Sequence, residues 1–324
     1  MKKTMWVLLD DRMGSVGQAK GIMQAIGDKI EIVEKQLVYN KWARLPNFLK
    51  GSSFIGVDKK KSSDFYGEYP DLILSTSRRT ATVALKLKKL AQGKSKIIQL
   101  MHPGNFGIKK MDLIIVPEHD AKKCHGSNFF MVTGSPHRIT TKTIEEAAEK
   151  WHNEFKDLPK PWLSVIVGGS IKGHPFSLEN AKNLGLAAKN IVNALGGSVL
   201  ITTSRRTGSE AEQEIMKQLQ GVPMHTFLWG EKKENPYMGY LSCADRILIT
   251  GDSVSMCSEA CGTGKPALIF CGNEWLTKKH LRFAQSLVDG KYATLVDAPN
   301  ALSFKPERIL DTSEKIAKRI LEIG

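Results

Sequence analysis

The sequence has no apolar run approaching the ~20 residues that crossing a bilayer requires. The nearest thing to a leader is the apolar stretch 5–9 behind Lys2 and Lys3. It is too short for a signal peptide, and Asp10 and Asp11 end it, so it is expected to be a first β-strand. A cytoplasmic location follows as the expectation. Cysteine is scarce, and its count of five is odd, which argues against a disulfide framework. Four of the five fall between 243 and 271, yet no pair has C-x-x-C spacing; Cys257 and Cys261, four apart, are expected to pack as small hydrophobes in a helix. No metal and no organic cofactor is expected. Acidic residues are outnumbered, 33 against 47 basic, and the net charge of +14 suits an anionic partner. Aromatic residues make up 7% of the chain and do not interleave with the basic runs. With no recognition motif present either, nucleic acid is not an expected partner.

What the chain does have is alternation. Short β-branched apolar runs stand at 6–9, 30–33, 72–75, 97–100, 113–116 and 129–132, and again at 163–167, 199–202, 226–228, 247–250, 267–270 and 294–296. Amphipathic helical stretches separate them. Continuous apolar runs with helices between them are buried parallel strands. The length of 324 residues calls for two domains at roughly 100–200 residues each. The expected fold is α/β: two doubly wound, Rossmann-like parallel-sheet domains facing a cleft. Prolines within 156–161 suggest the boundary, giving 1–157, 158–302 and a final helical segment, 303–324, that crosses back to the first domain.

The densest chemistry lies at 249–266. A strand ends at Thr250, Gly251 and Asp252 turn the chain, and Ser253 is placed to cap a helix that Gly262 and Gly264 close. A helix start offers unpaired N–H groups and a positive dipole end, and Ser253 and Ser255 add hydroxyls; this is phosphate-site chemistry. Glu259, further along, suits ribose hydroxyls. A plain capped connection needs fewer polar groups than Asp252, Ser253 and Ser255 supply, so all three are candidate nucleotide contacts. A second loop, Gly168-Gly169-Ser170, follows a strand and lets the backbone approach a ligand. The pentapeptide Thr-Ser-Arg-Arg-Thr occurs twice, at 76–80 and 203–207, each time past a strand end. Ser204, Arg205 and Arg206 of the second copy are candidate diphosphate contacts. Trp229, past another strand, borders a candidate nucleobase pocket, and Asn235 with Pro236 reads as a helix start.

In the first half, a glycine turn is expected at 10–19, with Gly14 and Gly17 bending the chain and Gln18 reaching a ligand. Arg78 and His102 join it as acceptor-side candidates. His119 or the neighbouring Asp120 is the candidate general base, against the plainer reading of a structural histidine. Between 39 and 61 the alternation lapses; Trp42, Phe48, Lys59, Lys60 and Lys61 suit an anionic membrane surface or a lipid acceptor, against a packed helix with a basic loop.

The motifs at 168–170, 202–207, 235–237, 244–245, 250–260 and 263–266 together closely resemble the elongated-mitochondria fission-factor family. More distantly, 253–266 resembles the donor site of glycosyltransferase-B (GT-B) enzymes and of UDP-GlcNAc 2-epimerases. The resemblance implies a GT-B fold, with Ser253 and Ser255 holding a diphosphate and Glu259 a ribose. It implies a metal-independent glycosyltransferase taking a nucleotide-diphosphate sugar, UDP-linked, to a lipid-linked acceptor at the inner face of the membrane. Two other readings stay open: a non-catalytic, membrane-associated scaffold of the fission type, and a sugar-nucleotide epimerase.

Overall fold

The computed structural model describes residues 2–324. The chain divides into two compact units, one formed by Met1–Arg138 with Asp311–Gly324, the other by Ile139–Leu310.

The first unit holds six strands: β1 (Thr4–Leu9), β2 (Glu31–Gln36), β3 (Leu72–Ser75), β4 (Lys96–Leu100), β5 (Leu113–Pro117) and β6 (Phe129–Val132). All pair in parallel, in the order β2-β1-β3-β4-β5-β6. Helices α1 (Met13–Ile26) and α3 (Thr80–Leu90) cover opposite faces, with the short α2 (Asn47–Lys50) between them in sequence. Side chains alternate across a strand. Met5, Val7 and Leu9 of β1 therefore meet Ala19, Ile22 and Ile26 of α1 on one face. Trp6 and Leu8 meet Ala81, Ala84 and Leu85 of α3 on the other. Burial on both faces is why β1 reads as an unbroken apolar run.

The second unit opens with α4 (Thr141–Phe155) and carries β7 (Trp162–Ile166), β8 (Ser198–Thr202), β9 (Met224–Phe227), β10 (Arg246–Thr250), β11 (Ala267–Phe270) and β12 (Thr294–Leu295). These too are all parallel, in the order β12-β11-β10-β7-β8-β9. That is the Rossmann order, in which the winding reverses between the first strand and the fourth, here β7 and β10. Its helices are α5 (Leu178–Leu195), α6 (Ser209–Gln218), α7 (Tyr237–Cys243), α8 (Val254–Gly262) and α9 (Lys278–Asp289). Cys257 and Cys261 sit in the core as apolar side chains. Burial pushes both thiols up, Cys261 to about 12.

The division between units falls after Arg138 rather than at 157. The reason is α4, whose Phe155 packs with Trp162 and Tyr240 inside the second unit's core. The prolines at 159 and 161 therefore mark the α4–β7 connection. The chain rejoins the first unit at Asp311, and α10 (Thr312–Ile323) lies there. Its Ile316, Ala317 and Ile320 share a core with Ile22 and Ile26 of α1. Thr312 and Ser313 donate to the carbonyls of Thr133 and His137, both at 2.7 Å. No helix among the described residues is long and apolar enough to cross a membrane.

Candidate functional site

In a doubly wound sheet the loops past the strand ends diverge where the winding reverses, and a crevice opens there. In the second unit these loops are residues 167–170 after β7 and 251–253 after β10. Hydrogen bonds join them. The Gly168 N–H donates to Thr250 Oγ1 at 2.7 Å, and the Gly169 N–H to Asp252 Oδ2 at 3.1 Å. Both glycines are required. A Cβ on Gly168 would lie 2.2 Å from the Asp252 carboxylate, and one on Gly169, at φ +140°, 2.1 Å from the Arg206 carbonyl oxygen.

Asp252 is the brace of this arrangement. Its side chain is wholly buried, and Arg206 pairs with it at 2.6 Å. Burial raises its carboxyl above the ordinary value, while Arg206 and the hydrogen bonds pull it back. A paired, buried carboxylate orders loops; it does not itself hold a phosphate. The pentapeptide at 203–207 closes the third side. The Ser204 hydroxyl donates to the Gly168 carbonyl, as does Thr207 at 2.7 Å, and the Ser204 oxygen accepts from the Arg206 N–H at 3.2 Å. Ser170 is also used internally, accepting from the Phe176 N–H at 3.0 Å. Arg205 is exposed, beside the paired Arg206.

Ser253 caps α8, its oxygen accepting from the Met256 N–H at 3.4 Å. No acceptor among the described residues takes the N–H groups of Val254 or Ser255. Ser255 and Glu259, one turn apart, share a helix face about 6 Å along the axis. The hydroxyl of Tyr237 donates to Glu259 Oε2. Burial first, then Glu259, raises the Tyr237 phenol well above its usual range, so it stays a donor. Tyr237 follows the Asn-Pro pair that reads as a helix start. That helix begins one residue later than expected, with Asn235 Oδ1 accepting from the Tyr237 N–H at 2.9 Å. Trp229 is 60% exposed, and its backbone N–H donates to Thr203 Oγ1 at 2.8 Å, which ties the loop after β9 to the pentapeptide. His280, at the start of α9, was not a sequence candidate. Burial lowers its pKa, with Asp252 pulling the other way. Only its electrostatic neighbours reveal it.

The first-unit candidates are placed differently. Gly14 and Gly17 do not form a turn: α1 begins at Met13, so the connection after β1 is only residues 10–12 and both glycines are helical. Gln18 is half-buried on the same helix. His102 is half-buried, stacked on Phe129, with Nδ1 accepting from the Gly104 N–H at 3.2 Å. Arg78 is exposed. The His119 side chain is 2% exposed, and its Nε2 lies 3.9 Å from Asp120 Oδ2, beyond hydrogen-bond range. Trp42 and Phe48 are 51% and 67% exposed, and Lys59, Lys60 and Lys61 are exposed.

Two Rossmann-like units, each an all-parallel sheet with polar loops at its strand ends, define a fold of the GT-B type. Solved structures share it. A UDP-GlcNAc 2-epimerase from Methanocaldococcus jannaschii superposes with a TM-score of 0.59 at 15% identity, over 99% of this chain and 100% of that one. MurG from Acinetobacter baumannii gives 0.51 at 12%, over 98% and 99%. The chain belongs to the mitochondrial fission ELM1 family, which it matches over residues 13–323. It is 29% identical over 270 residues to the mitochondrial fission protein ELM1 of Arabidopsis thaliana, a match spanning 76% of this chain and 62% of the plant protein. It is also 29% identical to an uncharacterised protein of Rickettsia prowazekii, across 97% of both.

Proposed function

We propose that this protein is a glycosyltransferase that binds a nucleoside-diphosphate sugar, UDP-linked, in its second unit. The observation that carries this reading is the capped start of α8 at the winding reversal of a Rossmann sheet, with Ser255 and Glu259 one turn apart on the same face. The diphosphate would lie at the N–H groups of Val254 and Ser255 and at Gly168–Gly169, with the exposed Arg205 alongside. Glu259, held by Tyr237, would accept from the ribose hydroxyls, and the Trp229 ring would flank the base. As the bond to the sugar breaks, negative charge grows on the leaving diphosphate. The helix dipole and Arg205 would stabilise it, taking the part that a metal ion plays elsewhere. The fold shared with UDP-GlcNAc 2-epimerases and MurG supports a sugar nucleotide as the ligand. We assign no general base, since His119 is buried. The acceptor falls to the first unit, and its exposed Trp42 and Phe48 favour a lipid-linked one. The same two residues favour the second reading, a membrane-bound scaffold without catalysis.

A thermal-shift titration with UDP, GDP, ADP, dTDP and their sugar conjugates tests the donor site. A ligand at 100 times its Kd stabilises by about 2.7 kcal/mol. The expected result is a shift for one nucleotide class that is lost in Glu259→Ala and in Arg205→Ala. No shift at millimolar nucleotide in a folded sample would overturn the donor assignment and favour the scaffold.

A further inference from the structure

The first unit reverses its winding between β1 and β3, and a cavity of about 810 Å³ lies at the loops that follow those two strands. Six cations line it, Arg12, Lys41, Arg44, Lys50, Arg78 and Arg79, against the one carboxylate of Asp11. Arg79 is paired with Asp10 and Asp11. Among the described residues the other five enter no ion pair. Like charges repel, so such a cluster is stable only where water or an anion screens it.

Lys50 shows that water does not do all the screening. It is 4% exposed, although lysines are almost never fully buried unless paired. No carboxylate meets it. Its Nζ donates one bond, to the Ala43 carbonyl at 3.3 Å, out of three that an ammonium can make. Burial lowers its pKa, and the charges of Arg78 and Arg79 lower it further. Two more buried donors lack a partner, Arg79 Nε and the Tyr39 hydroxyl, and the Arg79 guanidinium lies 4.3 Å from the Tyr39 ring centroid. The wall is also fixed in place. Asn47, itself buried, donates to the carbonyls of Arg78 at 2.9 Å and Pro103 at 3.1 Å, which ties α2 to the arginine loop.

We infer that this cavity is a phosphoryl-binding site of the first unit. Guanidinium forks and an ammonium match phosphate oxygens, and a phosphomonoester's charge of about −2 answers several unpaired cations better than a carboxylate does. The phosphoryl group belongs either to a soluble compound or to a lipid headgroup. Trp42 and Phe48, exposed on the same 41–50 segment, give a headgroup's chains a place to lie. None of these residues enters the donor site of the second unit, so the inference stands or falls apart from the nucleotide reading.

The test is calorimetric titration of the full chain with inorganic phosphate, at ionic strength held constant with chloride. Binding is expected to weaken at least about tenfold, the value of one charge-assisted contact, in Arg44→Ala/Arg78→Ala. Those side chains make no hydrogen bond among the described residues, so the fold should survive; Lys50→Met gives an independent second loss. Lys59→Ala/Lys60→Ala should bind as the wild type does. No binding at millimolar phosphate overturns the site, as does equal weakening in the Lys59→Ala/Lys60→Ala control, which would reduce it to net charge. Co-sedimentation with phosphatidylcholine vesicles carrying phosphatidic acid then separates the sources. Sedimentation lost in Arg44→Ala/Arg78→Ala supports the headgroup, and phosphate binding without sedimentation supports a soluble phosphoryl ligand.

Discussion

Asp10 and Asp252 do the same work in the two units. Each follows a strand, each side chain is wholly buried, and each takes the second arginine of a Thr-Ser-Arg-Arg-Thr segment. The segments fold alike. The Ser77 N–H donates to Thr80 Oγ1 at 2.9 Å and the Ser204 N–H to Thr207 Oγ1 at 3.0 Å; the Arg79 and Arg206 N–H groups each donate to a serine oxygen at 3.2 Å. The first arginine of each pair, Arg78 or Arg205, is left exposed. The sequence presents the two arginines as equals. Their separation into brace and exposed cation depends on an aspartate distant in the chain, so it could not be read from the segment. His280 lies near one of these braces and carries a pH signature. Its folded pKa is lowered from 6.5, so the fold prefers the neutral ring. The stability it contributes is present above about pH 6.5 and is lost as pH falls below that value toward the lowered folded pKa. Urea unfolding of wild type and His280→Gln should show a constant difference above pH 7, with wild type losing ground below about pH 6.5. A difference independent of pH would mean that the ring is equally solvated in both states.

At the scale of elements, α10 completes one of the first unit's two cores. Ile316 and Ile320 are fully buried and share a core with α1, and Gly21 of α1 makes room for its neighbours: a Cβ there would lie 2.3 Å from the His137 carbonyl oxygen and 2.9 Å from Ser313 Oγ of α10. Ile320→Ala should cost about 2–5 kcal/mol. Hydrogen exchange should then speed up in β1 and β3 and leave β7 and β10 unchanged; a uniform acceleration would refute the assignment of α10 to one unit. The strands themselves were legible, because a strand buried on both faces announces itself as an apolar run. All twelve runs coincide with strands to within a few residues. The start of α1 was not. Arg12 precedes it without a side-chain cap, and glycines at 14 and 17 argue locally for a turn, yet packing of Ala19, Ile22 and Ile26 holds the helix from Met13. The attachment of α4 was equally hidden. Its amphipathic pattern shows which face is apolar and not which sheet that face covers. At the site, the Ser253 cap was legible from local chemistry alone, whereas the Tyr237–Glu259 bond and the Asp252–Arg206 pair join distant segments and needed the fold.

At the scale of the whole molecule, the two units keep separate sheets and separate cores, and their proposed ligands differ. Nucleotide binding should therefore leave a divided footprint. On adding the nucleotide that stabilises the protein, exchange should slow at residues 167–170, 203–207 and the start of α8, while amides of β1 and β3 keep their rates. Protection confined to the first unit would contradict the donor assignment. The excess of positive charge, +14 overall, adds long-range attraction for either anion and makes both affinities fall with salt.

The return of the chain to the first unit at Asp311 has a consequence for biogenesis. Synthesis proceeds at about 5–20 residues per second, so residues 139–310 occupy the ribosome for on the order of ten to thirty seconds after β6 has emerged. Throughout that interval the faces of α1 and β1 destined for Ile316 and Ile320 have no cover. The part of the protein made first is thus the part completed last, and the second unit can reach its native state while the first still waits. A nascent chain in that condition is a natural client for holding chaperones, and a pause in translation before residue 311 would lengthen its exposure.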